Sequence, residues 1–106
     1  MTRVAANKLV QDHSHILNNM YVERKNNKEI VRIASITEGN HEAANTAFYN
    51  GLITTYVETE KRMVGSCVLD LIEQPLEIGY TGKLLLWQKL SLSELQITVE
   101  TVVKEL

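Results

Sequence analysis

The chain has 106 residues, with 11 basic against 13 acidic side chains, a formal net charge of -2, 44% hydrophobic and 23% charged residues. That length suits one hydrophobic core, so a single domain over 1–106 is expected, and the composition is that of a packed domain, not a disordered chain. The acidic balance disfavours a protein that grips nucleic acid by neutralising phosphates, and the longest apolar run, Leu84-Leu85-Leu86-Trp87, is far short of the roughly 20 residues that cross a bilayer.

Val4, Leu9, His13, Ile16, Leu17 and Met20 recur at helical spacing, which predicts an amphipathic helix over residues 3 to about 20. The polar residues Gln11, Asp12 and His13 stand where a secretory signal would need its apolar stretch. With a single cysteine, Cys67, no internal disulfide forms, and a cytoplasmic protein is expected.

Residues 20–37 support two readings. One continues helix through Glu23-Arg24-Lys25-Asn26-Asn27-Lys28-Glu29 into Ile30, Val31 and Ala34. The other is a β-hairpin turning at Asn26-Asn27, because Asn tolerates positive φ; that register places Arg24 opposite Glu29 and Val22 opposite Val31. Val, Ile and Thr make up 27 of the 106 residues, a β-leaning composition that keeps the mixed fold in play.

The clearest predicted element runs from a cap at Asn40 through 41–73. Apolar residues recur at Ala44, Phe48, Leu52, Tyr56, Met63, Cys67 and Leu71, Gly65-Ser66 is a weak point, and Gln74-Pro75 ends the run. Unbroken, this helix spans roughly 50 Å at about 1.5 Å per residue. Residues 76–82 read as a connector, and 83–90 are apolar but too short to assign. Ser91-Leu92-Ser93-Glu94 has capping-box spacing ahead of Leu95, Val99, Val102, Val103 and Leu106, which predicts a C-terminal helix with a strand as the alternative.

The candidate chemistry is sparse. His13 and His15 point to opposite sides of a helix and His41 lies far from both, so no metal site is expected. Cys67 falls on the apolar stripe as a buried, inert thiol. Gly79-Tyr80-Thr81-Gly82-Lys83 fails the phosphate-loop pattern because Leu84 follows Lys83. Ile33-Ala34 and Gly39 ahead of a helix resemble a helix-turn-helix core only superficially, since Glu42 stands where DNA would be met. Glu23, Arg24, Lys25, Lys28, Glu29 and Arg32 read as a solvated mixed-sign cluster, and Trp87 as core or interface. No paired carboxylates or nucleophile-base set is marked.

The sequence therefore predicts a mainly α fold, a small helical bundle or long helical hairpin plus a C-terminal helix, with an α+β fold as the alternative. The function expected is that of a non-enzymatic helical interaction protein, an adaptor, regulator, immunity or chaperone-like protein, without cofactor or metal. It would act through an apolar face carrying Phe48, Leu52, Tyr56, Met63 and Trp87. The 50 Å helix exceeds a compact monomer, so a homodimer is expected, with a protein partner as a further possibility. The alternatives are a small DNA-binding regulator and a small α+β ligand-binding domain or enzyme.

Overall fold

A computed structural model describes residues 2–26, 28–36, 46–91 and 93–106. Its centre is one six-stranded mixed sheet: β1 (Thr2–Asp12), β2 (His15–Arg24), β3 (Ile30–Ser35), β4 (Thr46–Thr55), β5 (Leu84–Gln88) and β6 (Val102–Glu105), in the order β3-β2-β1-β4-β5-β6. The described helices are two single turns, a 3-10 turn at Thr59–Lys61 and an α-turn at Val68–Leu71. The predicted mainly α fold, as bundle or as long hairpin, is thus corrected to a mainly β one.

Each predicted helix yields for a local reason. Residues 3–20 form β1 and β2, joined by a turn in which Asp12 Oδ1 accepts the Ser14 N–H at 2.9 Å, an Asx-type turn that reverses the chain. The 41–73 helix is replaced by β4 and an irregular segment; its proposed start, from Asn40 to Ala44, lies outside the described residues, as do Gly39 and Glu42 of the helix-turn-helix comparison. The longest dimension of the protein, 39 Å, is shorter than that helix would be, and the length argument for a dimer goes with it.

At the C-terminal segment the expected cap forms without its helix. Glu94 N–H donates to Ser91 Oγ at 3.3 Å and Leu95 N–H to Ser91 O at 2.6 Å. Leu95 then turns left-handed, φ 54°, and the chain leaves to pair with a distant segment: Val68 N–H donates to Leu95 O and Ile97 N–H to Ser66 O. Val102–Glu105 follow as the edge strand β6. Residues 20–37 contain the hairpin of the alternative reading, but its register is Val22↔Ile33 and Glu23↔Arg32, with a shift to Arg24↔Ile30. The turn is wider than two residues, closed by Lys28 N–H to Lys25 O with Lys28 at φ 70°, and Asn27 lies outside the described residues.

The central strands carry apolar side chains on both faces. On the first face Val4, Ala6, Leu9, Val22, Ile53, Leu84 and Leu86 pack with Ile30 and Leu76; on the second, Val10, Leu52, Leu85 and Trp87 pack with Val57, Val68, Ile72, Leu95 and Ile97. Burial from both sides explains the uninterrupted apolar run of β5. The connector 76–80 is laced over the first face by Leu76 N–H to Gln11 O, Gly79 N–H to Ile30 O and Ile30 N–H to Tyr80 O.

β1 and β4 pair in parallel, whereas the other pairs among the described strands are antiparallel. Their register slips between Ala6↔Tyr49 and Lys8↔Leu52, leaving Asn50 and Gly51 opposite Asn7 alone. Asn7 Oδ1 accepts the Gly51 N–H at 2.8 Å, satisfying a donor that the slip removes from the ladder. Gly51 sits at φ 149°, and a Cβ there would collide with the Trp87 carbonyl oxygen.

Gly51→Ala should therefore lose about 3 kcal/mol of stability, from overpacking of about 1–3 and a disfavoured backbone of about 1–2 kcal/mol. Gly65→Ala is the control: φ there is 94° with nothing near the added carbon, so only the backbone cost applies. Urea denaturation of both variants checks this, and equal losses would show that the Trp87 clash contributes nothing.

Candidate functional site

The five residues expected to share an apolar helix face do not form one. Leu52 and Trp87 are cross-strand partners, both 0% exposed, inside the second-face core. Trp87 Nε1 donates to Thr54 Oγ1 at 2.8 Å, which satisfies its one polar atom. Tyr56 is half-buried against the same cluster, while Phe48 and Met63 are 51% and 65% exposed at separate places, on β4 and in the loop before the α-turn. The function built on apolar helix faces is corrected accordingly: no helix among the described residues exceeds a single turn.

Cys67 is half-buried, not sealed on a stripe, with Sγ 3.6 Å from Glu94 O. His15 bonds Asp12 at 2.8 Å, and His13 bonds the Leu69 carbonyl at 2.8 Å, fixing the β1–β2 turn to the α-turn. No group of three or more metal-ligating side chains occurs among the described residues. Likewise, no described helix is long and apolar enough to cross a membrane.

The residue that stands out is Arg24. Sequence reading placed it in a solvated cluster, yet only 8% of it is exposed. The register pairs Arg24 with Thr2 and Val22 with Val4, so strand alternation turns the guanidinium to the first face of the sheet with Val22 and Val4. Its Nη1 donates to the main-chain oxygen of Leu106 at 3.2 Å; its Nε is buried and has no hydrogen-bond partner among the described residues. Burial lowers its pKa from the ordinary arginine value, the expected response of a cation removed from water.

Nearby charged side chains are engaged with other partners. Arg3 turns to the opposite face, where its Nε donates to Glu23 at 2.7 Å beneath the Tyr21 ring, and Glu105 pairs with Lys83. Arg24 lines a cleft of about 330 Å³ together with Thr2, Arg3, Val4, Ala47, Tyr49 and Leu106. A second cleft, about 430 Å³, adjoins it through Thr2, Arg24 and Leu106 and adds Lys25, Asn26 and Lys28. The two form one amphiphilic groove, apolar toward Tyr49 and cationic toward Lys25 and Lys28, and among the described residues no acidic side chain lines either part.

Comparison of the chain with protein-family models, with curated proteins and with solved structures finds no match. The chemistry of the groove must therefore be read from its own residues.

A signal for Arg24 did exist. Once the 20–37 hairpin is preferred to helix, Met20, Val22 and Arg24 share one side of a strand, and a cation following two apolar residues on that side is anomalous. Helical phasing hides it, because it assigns Arg24 to the polar side with Lys25 and Lys28.

Two expectations follow. Replacing a buried cation with an apolar chain of similar length removes a desolvation cost but leaves the Leu106 oxygen without its donor, so Arg24→Met should change stability by no more than about 2 kcal/mol in either direction. A loss above about 2 kcal/mol in chemical denaturation would make Arg24 a structural residue instead. Separately, the Ser14 N–H, aided by His15, holds the Asp12 carboxyl below its ordinary value. The turn's stabilisation is then complete above the unfolded value, near 4, and is lost as pH falls through the lower folded value. Asp12→Asn should remove this component of acid sensitivity, and an unchanged acid-unfolding profile would remove Asp12 as its source.

Proposed function

We propose that this chain is a small ligand-binding domain that captures an anionic small molecule in the groove over Arg24. The observation that carries the reading is the buried guanidinium whose Nε has no partner among the described residues, set in a cleft lined by Thr2, Arg3, Val4, Ala47, Tyr49 and Leu106. Buried polar groups are almost always paired, so a buried N–H held without an acceptor is explained by a ligand that supplies one. Lys25 and Lys28, both exposed at the mouth, add a field that draws an anion inward.

The reading is one of binding, not catalysis. Among the described residues the side chains lining the groove supply hydroxyls, an amide and cations, with no Asp, Glu, His or Cys side chain to act as general base or nucleophile. A cytoplasmic location belongs to the same proposal and is supported by the unpaired thiol of Cys67.

Thermal melting at constant ionic strength tests it, with acetate, hexanoate and inorganic phosphate each added to tens of millimolar. At least one should raise Tm saturably, by the equivalent of about 2.7 kcal/mol at a hundredfold excess over Kd. Arg24→Met should abolish that rise while remaining folded. A wild-type protein indifferent to all three anions would overturn the proposal.

A further inference from the structure

We infer that the Asn50-Gly51 peptide is a site of spontaneous deamidation, which the folded seam keeps closed and which opens when β4 leaves β1. Asn50 is the only asparagine in the sequence with glycine after it. Without a Cβ on the following residue, nothing shields the next main-chain nitrogen from the asparagine side chain, and glycine reaches the backbone conformations that ring closure needs. The pair follows from packing, because a Cβ at residue 51 would collide with the Trp87 carbonyl oxygen and the register slip therefore favours glycine there.

The chemistry consumes only water. The Gly51 nitrogen attacks Asn50 Cγ: a C–N bond forms, the side-chain nitrogen leaves as ammonia with the proton that the Gly51 N–H gives up, and a succinimide ring remains. Water then opens the ring at one of its two carbonyls. One opening leaves aspartate; the other leaves isoaspartate, in which the main chain runs through the former side-chain carbon.

The folded protein blocks the first step at both polar groups of one peptide unit. Its N–H donates to Asn7 Oδ1 at 2.8 Å, and its carbonyl oxygen accepts from Gln88 Nε2 at 3.2 Å. The nitrogen is thus held toward β1 in the plane of the sheet, whereas strand side chains stand across that plane. Swinging the peptide toward Asn50 Cγ would break both bonds, and the proton that the attack must shed is the one shared with Asn7. Asn50 itself is exposed and lines a cleft with Asn7 and Lys89, so the fold withholds the geometry of attack and not the water. Isoaspartate adds one carbon to the main chain of β4 at the slip, so a chain modified while open cannot rebuild the Asn7 bridge in register.

Peptide mapping by mass spectrometry tests this on the full chain, incubated in mildly alkaline buffer with and without urea. In urea Asn50 should be lost faster than any other asparagine. In the native protein it should be lost at least about tenfold more slowly than in urea, because a group that reacts only when open is slowed by its opening equilibrium. Asn7→Ala should speed the native loss of Asn50 more than Val22→Ala does at equal stability, and Asn7→Asp, which keeps an acceptor for the Gly51 N–H, should restore the slow rate. Equal rates at Asn50 in native protein and in urea would overturn the closure, and a rate in urea no faster than at Asn18 or Asn19 would overturn the lability. Those two comparisons decide on the wild type even where Asn7→Ala does not fold. A folded Asn7→Ala that deamidates no faster than the wild type would overturn the role of Asn7.

Discussion

Everything in this fold hangs on the parallel seam between β1 and β4. The sheet consists of two antiparallel groups, β3-β2-β1 and β4-β5-β6, and the seam is where they join. Its register would fail at the slip opposite Asn7 if the Gly51 N–H were left without an acceptor, and the Asn7 side chain supplies one. The slip also decides which side chains reach which face. Ala6 and Leu9, three residues apart, both enter the first-face core, and on β2 Leu17 and Met20 do the same around Asn19, which is left-handed at φ 55°. Polar residues thus run across the sheet where its alternation changes phase, because amide side chains can replace the missing ladder bonds.

The groove inherits its geometry from that arrangement. With β1 fixed between β2 and β4, the Thr2↔Arg24 and Val4↔Ala47 pairs bring a cation and an apolar wall to the same end of one face. Leu106, held by its N–H to the Leu84 carbonyl, closes over them from the far side of the sheet order. Arg24 stands at the end of a strand, which gives the guanidinium a fixed position, while Lys25, Asn26 and Lys28 come from the β2–β3 turn beside it.

The β character was partly legible. The hairpin at 20–37 and the strand alternative for the C-terminal segment were both readable from alternation, although the hairpin register was out by one residue at Arg24 and by two at Val22, because the turn holds more than Asn26 and Asn27 and the ladder shifts between Glu23 and Arg24. The long helix arose from an ambiguity of spacing. Phe48 and Leu52 lie four residues apart, and an even separation keeps two side chains on one side of a strand as well as on one side of a helix. The β-branched set Thr46, Ile53, Thr54 and Thr55 was the better guide. At Ser91–Glu94 the local code was read correctly and overridden, since the 65–68 segment offers the backbone partners that a further turn of helix would have supplied. Arg24 was legible only within the hairpin alternative, as a cation on the apolar side of a strand; its contact with Leu106, 82 positions away, is in no local pattern.

The seam also sets an order of events as the chain is made. The β1–β2–β3 meander needs only residues 2–35 and closes through short turns, whereas β1 cannot meet β4 until Thr46–Thr55 have emerged. Pairing across such a separation loses more chain entropy before any contact rewards it, which is the property that makes parallel pairing slow. Until then the β1 edge, with Val4, Ala5, Ala6 and Leu9 along it, waits unpaired beside the finished meander. A nascent chain stalled at that stage presents an open, apolar strand edge, the surface on which misassociation begins.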